Sequence, residues 1–142
     1  MHLNPRVQET TNALLGGYKN IFLVPPLDYA VFVPLMKKSH VILTDSGGLQ
    51  EEAVSLHKPV LVLREVTERP EVLEAGATRL VGTDVQQIVR ATTLLMENNE
   101  EYQKMAGVAN PYGDGHASQR IVTRLIKELF SPPFFKEGAG GS

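Results

Sequence analysis

The sequence predicts an α/β protein with a Rossmann-like parallel sheet and flanking helices. Short apolar runs rich in β-branched residues alternate along the chain with segments of helical spacing. The apolar runs lack polar alternation, which suits strands that helices cover on both faces. The chain has 142 residues, enough for one domain with one sizeable core.

Four apolar runs are predicted as buried strands. They cover residues 21–24, 41–44, 60–63 and 79–81. Because helical segments separate them, we expect parallel pairing through right-handed crossovers, in a sheet of about four strands.

Four segments are predicted as helices. Asp28 is suited to cap the first and Asp84 the third, while Pro34 should bend the first. The second covers residues 48–57 and the last covers roughly 116–129. Helical spacing places these residues toward the core, in chain order: Val31, Leu35, Met36, Leu49, Ala53, Leu56, Val85, Ile88, Val89, Thr92, Leu95, Ile121, Val122, Leu125 and Ile126.

The composition argues against several classes of function. Net charge is −2 and charged residues are spread along the chain, so we expect neither nucleic-acid nor membrane binding. No apolar run reaches the ~18 residues that span a bilayer. There are no cysteines, and the four histidines lack metal-ligand spacing. We therefore expect no disulfide, no metal and no cofactor, and a cytoplasmic setting fits.

The most informative segment is a strand, turn and helix over residues 41–53. In an open parallel sheet, ligands lie beyond the carboxyl ends of the strands, where this turn falls. Free amides at the start of the helix favour a phosphate, and Gly47 and Gly48 permit close approach of the backbone. Ser46 adds a hydroxyl donor. A purely structural alternative is equally open, in which Ser46 caps the helix and the glycines serve the turn.

Two charged residues sharpen this prediction. Glu52 lies about one turn beyond the phosphate site, where it could accept hydrogen bonds from ribose hydroxyls. Arg69 follows the next strand at the same sheet edge, and a guanidinium suits phosphate or sugar oxygens. The alternatives are a helix-dipole role for Glu52 and, for Arg69, an ion pair with Glu65, Glu68 or Glu71.

Five blocks of sequence resemble the non-hydrolysing UDP-GlcNAc 2-epimerases, and they occur in that family's order. The central one is Thr-Asp-Ser-Gly-Gly-Leu-Gln-Glu-Glu-Ala at 44–53, followed by Lys-Pro-Val-Leu-Val at 58–62 and Thr-Glu-Arg-Pro-Glu at 67–71. The others are His-Leu-Asn-Pro at 2–5 and Asn-Pro-Tyr-Gly-Asp-Gly at 110–115, with Ala-Ser at 117–118.

The resemblance implies a two-domain, GT-B-like enzyme that binds UDP-sugar in its cleft. The family interconverts UDP-GlcNAc and UDP-ManNAc by elimination of UDP and its re-addition to the other face. Such an enzyme must hold UDP while its bond to the sugar is broken, so pre-placed donors would stabilise the departing diphosphate.

The resemblance also implies roles for individual residues. Ser46 and Gly47 match the diphosphate-binding turn, which Gly48 continues, and Glu52 matches the ribose-binding glutamate. Arg69 matches an arginine at the UDP-sugar site. The turn at 110–115 matches a segment that we take as structural.

Two further matches have plain structural alternatives. Phe32 matches an aromatic residue that lines the uracil pocket; otherwise it is a core position of its helix. His2 matches a histidine that, in some bacterial members, helps to bind a second, regulatory UDP-GlcNAc; otherwise it belongs to a structural Asn-Pro turn.

Family members are much longer than this chain. The resemblance therefore implies that residues 1–130 form a UDP-binding carboxy-terminal domain without its first strands, followed by a flexible tail at 131–142. No residue is predicted to be catalytic, so we expect the chain alone to be inactive. An unpaired strand edge would also favour a dimer or higher oligomer, strand exchange or a shift of the 21–24 strand.

Other functions share parts of this pattern. A GT-B glycosyltransferase would use the same Ser-Gly turn and ribose glutamate, although the 67–71 block favours the epimerase. A hydrolysing relative would release free UDP. A non-catalytic regulatory or assembly module would retain only the nucleotide site or the sheet edge.

Overall fold

The fold is built on a three-stranded parallel sheet in the order β1-β2-β3. A computed structural model describes residues 4–130. The strands are β1 (Ile42–Thr44), β2 (Val60–Val62) and β3 (Thr78–Leu80). Ile42 lies opposite Val60, which lies opposite Thr78. The sheet confirms the predicted parallel pairing.

Seven helices accompany the sheet within residues 4–130. In chain order they are α1 (Pro5–Leu15), α2 (Tyr29–Lys38), α3 (Gly47–Ser55), α4 (Pro70–Glu74), α5 (Val85–Glu97), α6 (Asn99–Ala106) and α7 (Ala117–Phe130). The four predicted helices correspond to α2, α3, α5 and α7. The short α4 and the separate α1 and α6 were not predicted, although Pro5, Pro70 and the capping Asn98 mark their starts.

Two apolar clusters cover the two faces of the sheet. Val60 and Val62 pack with residues of α3 and α4, whereas the intervening Leu61 packs with residues of α5 and α6. All three β2 residues are fully buried. The prediction that this strand is covered on both faces is therefore confirmed.

The predicted strand at 21–24 is wrong. These residues form no strand, and Phe22 is 82% exposed. Their backbone finds no partner strand within residues 4–130, so it lacks the ladder of hydrogen bonds that defines a strand. Two prolines follow directly and remove donors that a strand would need.

Several predicted core positions are also wrong. Met36, Ala53 and Leu95 are buried and Ile88 packs against the core, but a larger group lies mostly in solvent. Its members are Val31, Leu35, Val85, Val89, Ile121, Val122, Leu125 and Ile126, each at least 51% exposed. They lie on apolar faces of α2, α5 and α7 that no described element covers.

The two predicted aspartate caps have different outcomes. The Asp84 carboxylate accepts a hydrogen bond from the Gln87 amide at 2.8 Å, which confirms its role at the start of α5. Asp28 occupies the N-cap position of α2, but its side chain makes no capping bond there. The backbone carbonyl of Asp28 accepts from Val31 and Phe32 instead.

Candidate functional site

The candidate site is the turn at the carboxyl end of β1. β1 ends at Thr44, and its hydroxyl accepts a hydrogen bond from the Ser46 amide at 3.0 Å. Ser46 is the N-cap of α3, although its hydroxyl accepts from the Leu49 amide at a long 3.5 Å. Within residues 4–130 the amides of Gly47 and Gly48 have no acceptor. The turn therefore presents the unpaired donors that an anion requires.

Space around the glycines is open. A Cβ on Gly48 would meet no atom within 4 Å, and one on Gly47 would meet only a Glu68 carboxylate oxygen at 4.0 Å. Packing of the described residues therefore does not demand glycine at Gly48. The backbone there is open to the close approach of a ligand.

Glu52 lies on the second turn of α3 and is half-buried. Among the described residues, no donor reaches its carboxylate. A half-buried carboxylate without a partner retains its capacity to accept hydrogen bonds from a ligand. Its predicted ribose role stays a prediction.

Arg69 is held against α3. Its guanidinium pairs with Glu51, and its Nη1 donates to the Glu68 carbonyl at 3.1 Å. Arg69 therefore forms its ion pair with Glu51, and not with the carboxylates suggested as alternatives, Glu65, Glu68 or Glu71. The bond to Glu51 and its negative charge raise the pKa of Arg69 further above its usual range. The guanidinium therefore stays cationic beside the turn.

A partly buried chain of hydrogen bonds joins the same two segments. The Gln50 side chain is 1% exposed; its Nε2 donates to the Ser46 carbonyl at 3.3 Å. Its Oε1 accepts from the Thr67 hydroxyl at 3.0 Å, and that hydroxyl accepts from the Arg69 amide at 3.0 Å. The sequence did not single out Gln50, Glu51 or Thr67 in these roles, because their neighbours lie 17 or 18 positions away.

Tyr112 adds an aromatic group at this edge. The Asn110 side chain donates to the Ser55 hydroxyl at 3.0 Å and accepts from the Tyr112 amide, which ties the loop to the end of α3. Partial burial, with the nearby Glu71 and Glu51 carboxylates, raises the pKa of Tyr112 to about 12. The phenol therefore stays protonated at neutral pH.

The remaining predicted residues are not brought to this turn. Phe32 is half-buried on α2, one turn before the buried Met36. Both its uracil role and its core role stay predictions. His2 lies outside the described residues. No group of three or more potential metal ligands occurs within residues 4–130, and no described helix is long and apolar enough to cross a membrane.

A cavity of about 530 Å³ lies elsewhere, along α5. Its two arginines already have partners in the protein: Arg79 donates to Glu101 at 3.4 Å and Arg90 to Gln86 at 3.5 Å. The β1–α3 turn has unpaired donors instead, so we place the candidate site there.

Known proteins resemble this chain closely. The E. coli K12 UDP-N-acetylglucosamine 2-epimerase is 55% identical over 131 residues, which are 92% of this chain and 35% of that protein. The Neisseria meningitidis UDP-GlcNAc 2-epimerase bound to UDP-GlcNAc is 54% identical with a TM-score of 0.83, over 89% of this chain and 35% of that one. S. aureus MnaA, in a co-structure with UDP, is 49% identical with a TM-score of 0.83, over 92% of this chain and 36% of that one.

These comparisons confirm the predicted α/β class and show that the chain spans about a third of the length of its relatives. A family model described as UDP-N-acetylglucosamine 2-epimerase matches residues 1–126. The chain therefore belongs to the UDP-N-acetylglucosamine 2-epimerase family.

Proposed function

We propose that this chain supplies the UDP-binding part of a UDP-GlcNAc 2-epimerase, which interconverts UDP-GlcNAc and UDP-ManNAc. One observation carries the proposal: the unpaired amides of Gly47 and Gly48 lie in open space at the carboxyl end of β1. Relatives matched over about nine-tenths of this chain are described as bound to UDP-GlcNAc or UDP.

The residues around the turn suit the parts of such a ligand. The Gly47 and Gly48 amides and the Ser46 hydroxyl would donate to the diphosphate, and Arg69 would add positive charge beside it. Glu52 would accept from the ribose hydroxyls, and Phe32 would line the base pocket. These donors would stabilise UDP as it leaves the sugar. Residues 1–130 would form this domain, and His2 would belong to a regulatory site.

Binding of UDP and 2′-deoxy-UDP by titration calorimetry tests the role of Glu52. The wild-type chain should bind UDP more tightly, because 2′-deoxy-UDP offers one hydroxyl fewer. Glu52→Ala should weaken UDP binding about tenfold and remove most of that preference.

Glu97→Ala is the matched control, because Glu97 is exposed at the far end of α5. It should leave both affinities unchanged. A chain that binds neither nucleotide would contradict the proposed function. An undiminished preference for UDP in Glu52→Ala would contradict the ribose assignment alone.

We also propose that the chain self-associates through its uncovered apolar surfaces. β1 pairs only with β2 within residues 4–130, and Leu43 on it is 42% exposed. On α7, Leu125 is 52% exposed within an apolar stripe.

Light scattering should give at least twice the monomer mass, and Leu125→Glu should lower the measured mass. Lys127→Glu, on the polar side of the same helix, is the control and should not lower the mass. A wild-type chain that is a stable monomer would contradict self-association.

A cytoplasmic location and a role in cell-surface polysaccharide biosynthesis belong to the same proposal. The nucleotide sugar named in the relatives' descriptions motivates the biosynthetic role. Fractionation of cells that express the chain, followed by immunodetection, tests the location.

A further inference from the structure

Gln50 is a buried amide in a position where an apolar side chain would suffice for packing. It is 1% exposed, beside the fully buried Ala53 and Val54 of the same helix. Burying an amide is costly unless both of its ends form hydrogen bonds. Both ends do so here, and the two partners, Ser46 and Thr67, belong to different segments.

The two segments are the two halves of the candidate site. The Ser46 carbonyl belongs to the turn that presents the free amides, and it accepts from Gln50 Nε2. The Thr67 hydroxyl donates to Gln50 Oε1 and accepts from the Arg69 amide. The chain of bonds thus runs unbroken from the phosphate-facing turn to the backbone of Arg69.

A second link lies beside the first. Glu51, the next residue of α3, pairs with the Arg69 guanidinium. This ion pair is partly exposed, with side-chain exposures of 33% and 40%, so solvent screens it and its own contribution is small. The Gln50–Thr67 bond is less exposed, because Gln50 is buried and Thr67 is half-buried, and it is the better candidate for fixing the loop.

We propose that Gln50 and Thr67 are positioning residues, which hold Arg69 in register with the Ser46–Gly48 turn so that both meet the diphosphate as one preformed unit. This inference rests on the proposed function, since it assigns the unit to UDP. Neither side chain needs to touch the ligand. Loss of the link should therefore weaken recognition of the diphosphate and leave recognition of the nucleoside nearly unchanged.

Thr67→Val is the most direct test, because it removes the hydroxyl and keeps the shape. We expect it to weaken UDP binding about fivefold to tenfold, and uridine binding less than twofold. Thr67→Ser restores the hydroxyl and should bind UDP as the wild type does. Thr92→Val is the matched control: Thr92 is also half-buried, and its hydroxyl donates to the Ile88 carbonyl at 2.8 Å on α5, away from the site.

Amide hydrogen exchange of the ligand-free chain tests the link independently of UDP. Thr67→Val should speed exchange at Arg69, which loses its acceptor. It should also speed exchange at Ser46, Leu49 and Gln50, whose amides have acceptors in the turn. Faster exchange at Arg69 alone would overturn the proposal, as would an equal loss of UDP and uridine affinity. A wild-type chain that binds no UDP would contradict the proposed function, while exchange at Ser46, Leu49 and Gln50 would still decide whether the two segments are coupled.

Discussion

At the scale of single residues, Gly48 is a position where the fold does not require glycine but the proposed ligand does. Nothing within 4 Å would oppose a Cβ there, and the residue lies in the first turn of α3. Glycine costs a helix up to about 1 kcal/mol relative to alanine. The fold alone would therefore accept alanine, and the proposed diphosphate would account for the glycine.

Gly48→Ala should consequently leave the chain as stable as before or slightly more stable, while UDP affinity falls roughly tenfold. Thermal unfolding and calorimetric titration measure the two quantities on the same sample. Gly17→Ala, where a Cβ also meets nothing within 4 Å, should not change UDP binding. Unchanged UDP affinity in Gly48→Ala would show that the turn does not need close backbone approach.

The Tyr112 phenol gives a residue-scale prediction on pH. Partial burial and the Glu71 and Glu51 carboxylates raise its pKa to about 12, above the ordinary ~10 of tyrosine. The folded state thus favours the neutral phenol. Its stabilising contribution is complete below pH ~10 and is lost as pH rises through about 12.

A spectrophotometric titration near 295 nm should therefore show a late phenol ionisation in the wild type, and Tyr112→Phe should lack it. The variant should also lose less stability than the wild type between pH ~10 and about 12. Tyr29→Phe, on α2, is the control and should retain the late step. If the late ionisation persisted in Tyr112→Phe, a group other than Tyr112 would have to produce it.

At the scale of elements, the end of α3 carries an unusual backbone conformation. His57 has a φ of 55°, in the left-handed region that favours glycine. The His57 amide donates to the Val54 carbonyl at 2.9 Å and the Lys58 amide to Ala53 at 3.0 Å, the two bonds of a Schellman motif. The motif ends the helix that carries the candidate site, with histidine where glycine is common.

His57→Gly should therefore raise the free energy of unfolding, by up to about 1 kcal/mol after the greater freedom of the unfolded chain is included. His57→Ala keeps a Cβ and serves as the control, so it should show no such gain. Chemical denaturation of the three proteins measures the difference. Equal stability of the glycine and alanine variants would mean that the left-handed residue is not strained.

Elements were predictable where their signal is local. The 41–44 and 60–63 runs became strands and Asp84 caps α5, because a buried run or a cap depends on adjacent residues. The 21–24 run is also apolar but has no partner strand among residues 4–130, so its prediction was wrong. The spacing of Ile121 and Leu125 identified an amphipathic helix, but not what covers it.

In the candidate site, too, local features were predictable from the sequence and contacts between distant segments were not. The Ser46-Gly47-Gly48 sequence predicted a turn before a helix, and that turn is present. The Glu51–Arg69 pair and the Gln50–Thr67 bond were not predicted, because pairing across 17 or 18 positions depends on how two strands align. Three carboxylates closer to Arg69 in sequence were equally plausible partners on charge alone.

At the scale of the whole molecule, a chain that binds a nucleotide sugar does not by that alone catalyse its epimerisation. The chain spans 35% of the E. coli relative, and every role proposed for the side chains at its turn is a role in binding. We therefore expect binding without turnover.

The purified chain, incubated with UDP-GlcNAc and followed by proton NMR, should form no UDP-ManNAc, whereas the E. coli relative assayed in parallel should reach equilibrium. The same sample should show shifts induced by UDP-GlcNAc at the amides of residues 46–48. Appearance of UDP-ManNAc that survives further purification and disappears in Glu52→Ala would contradict this prediction. It would mean that residues of this chain alone can remove and return the C2 proton, because retention of UDP cannot by itself invert a carbon.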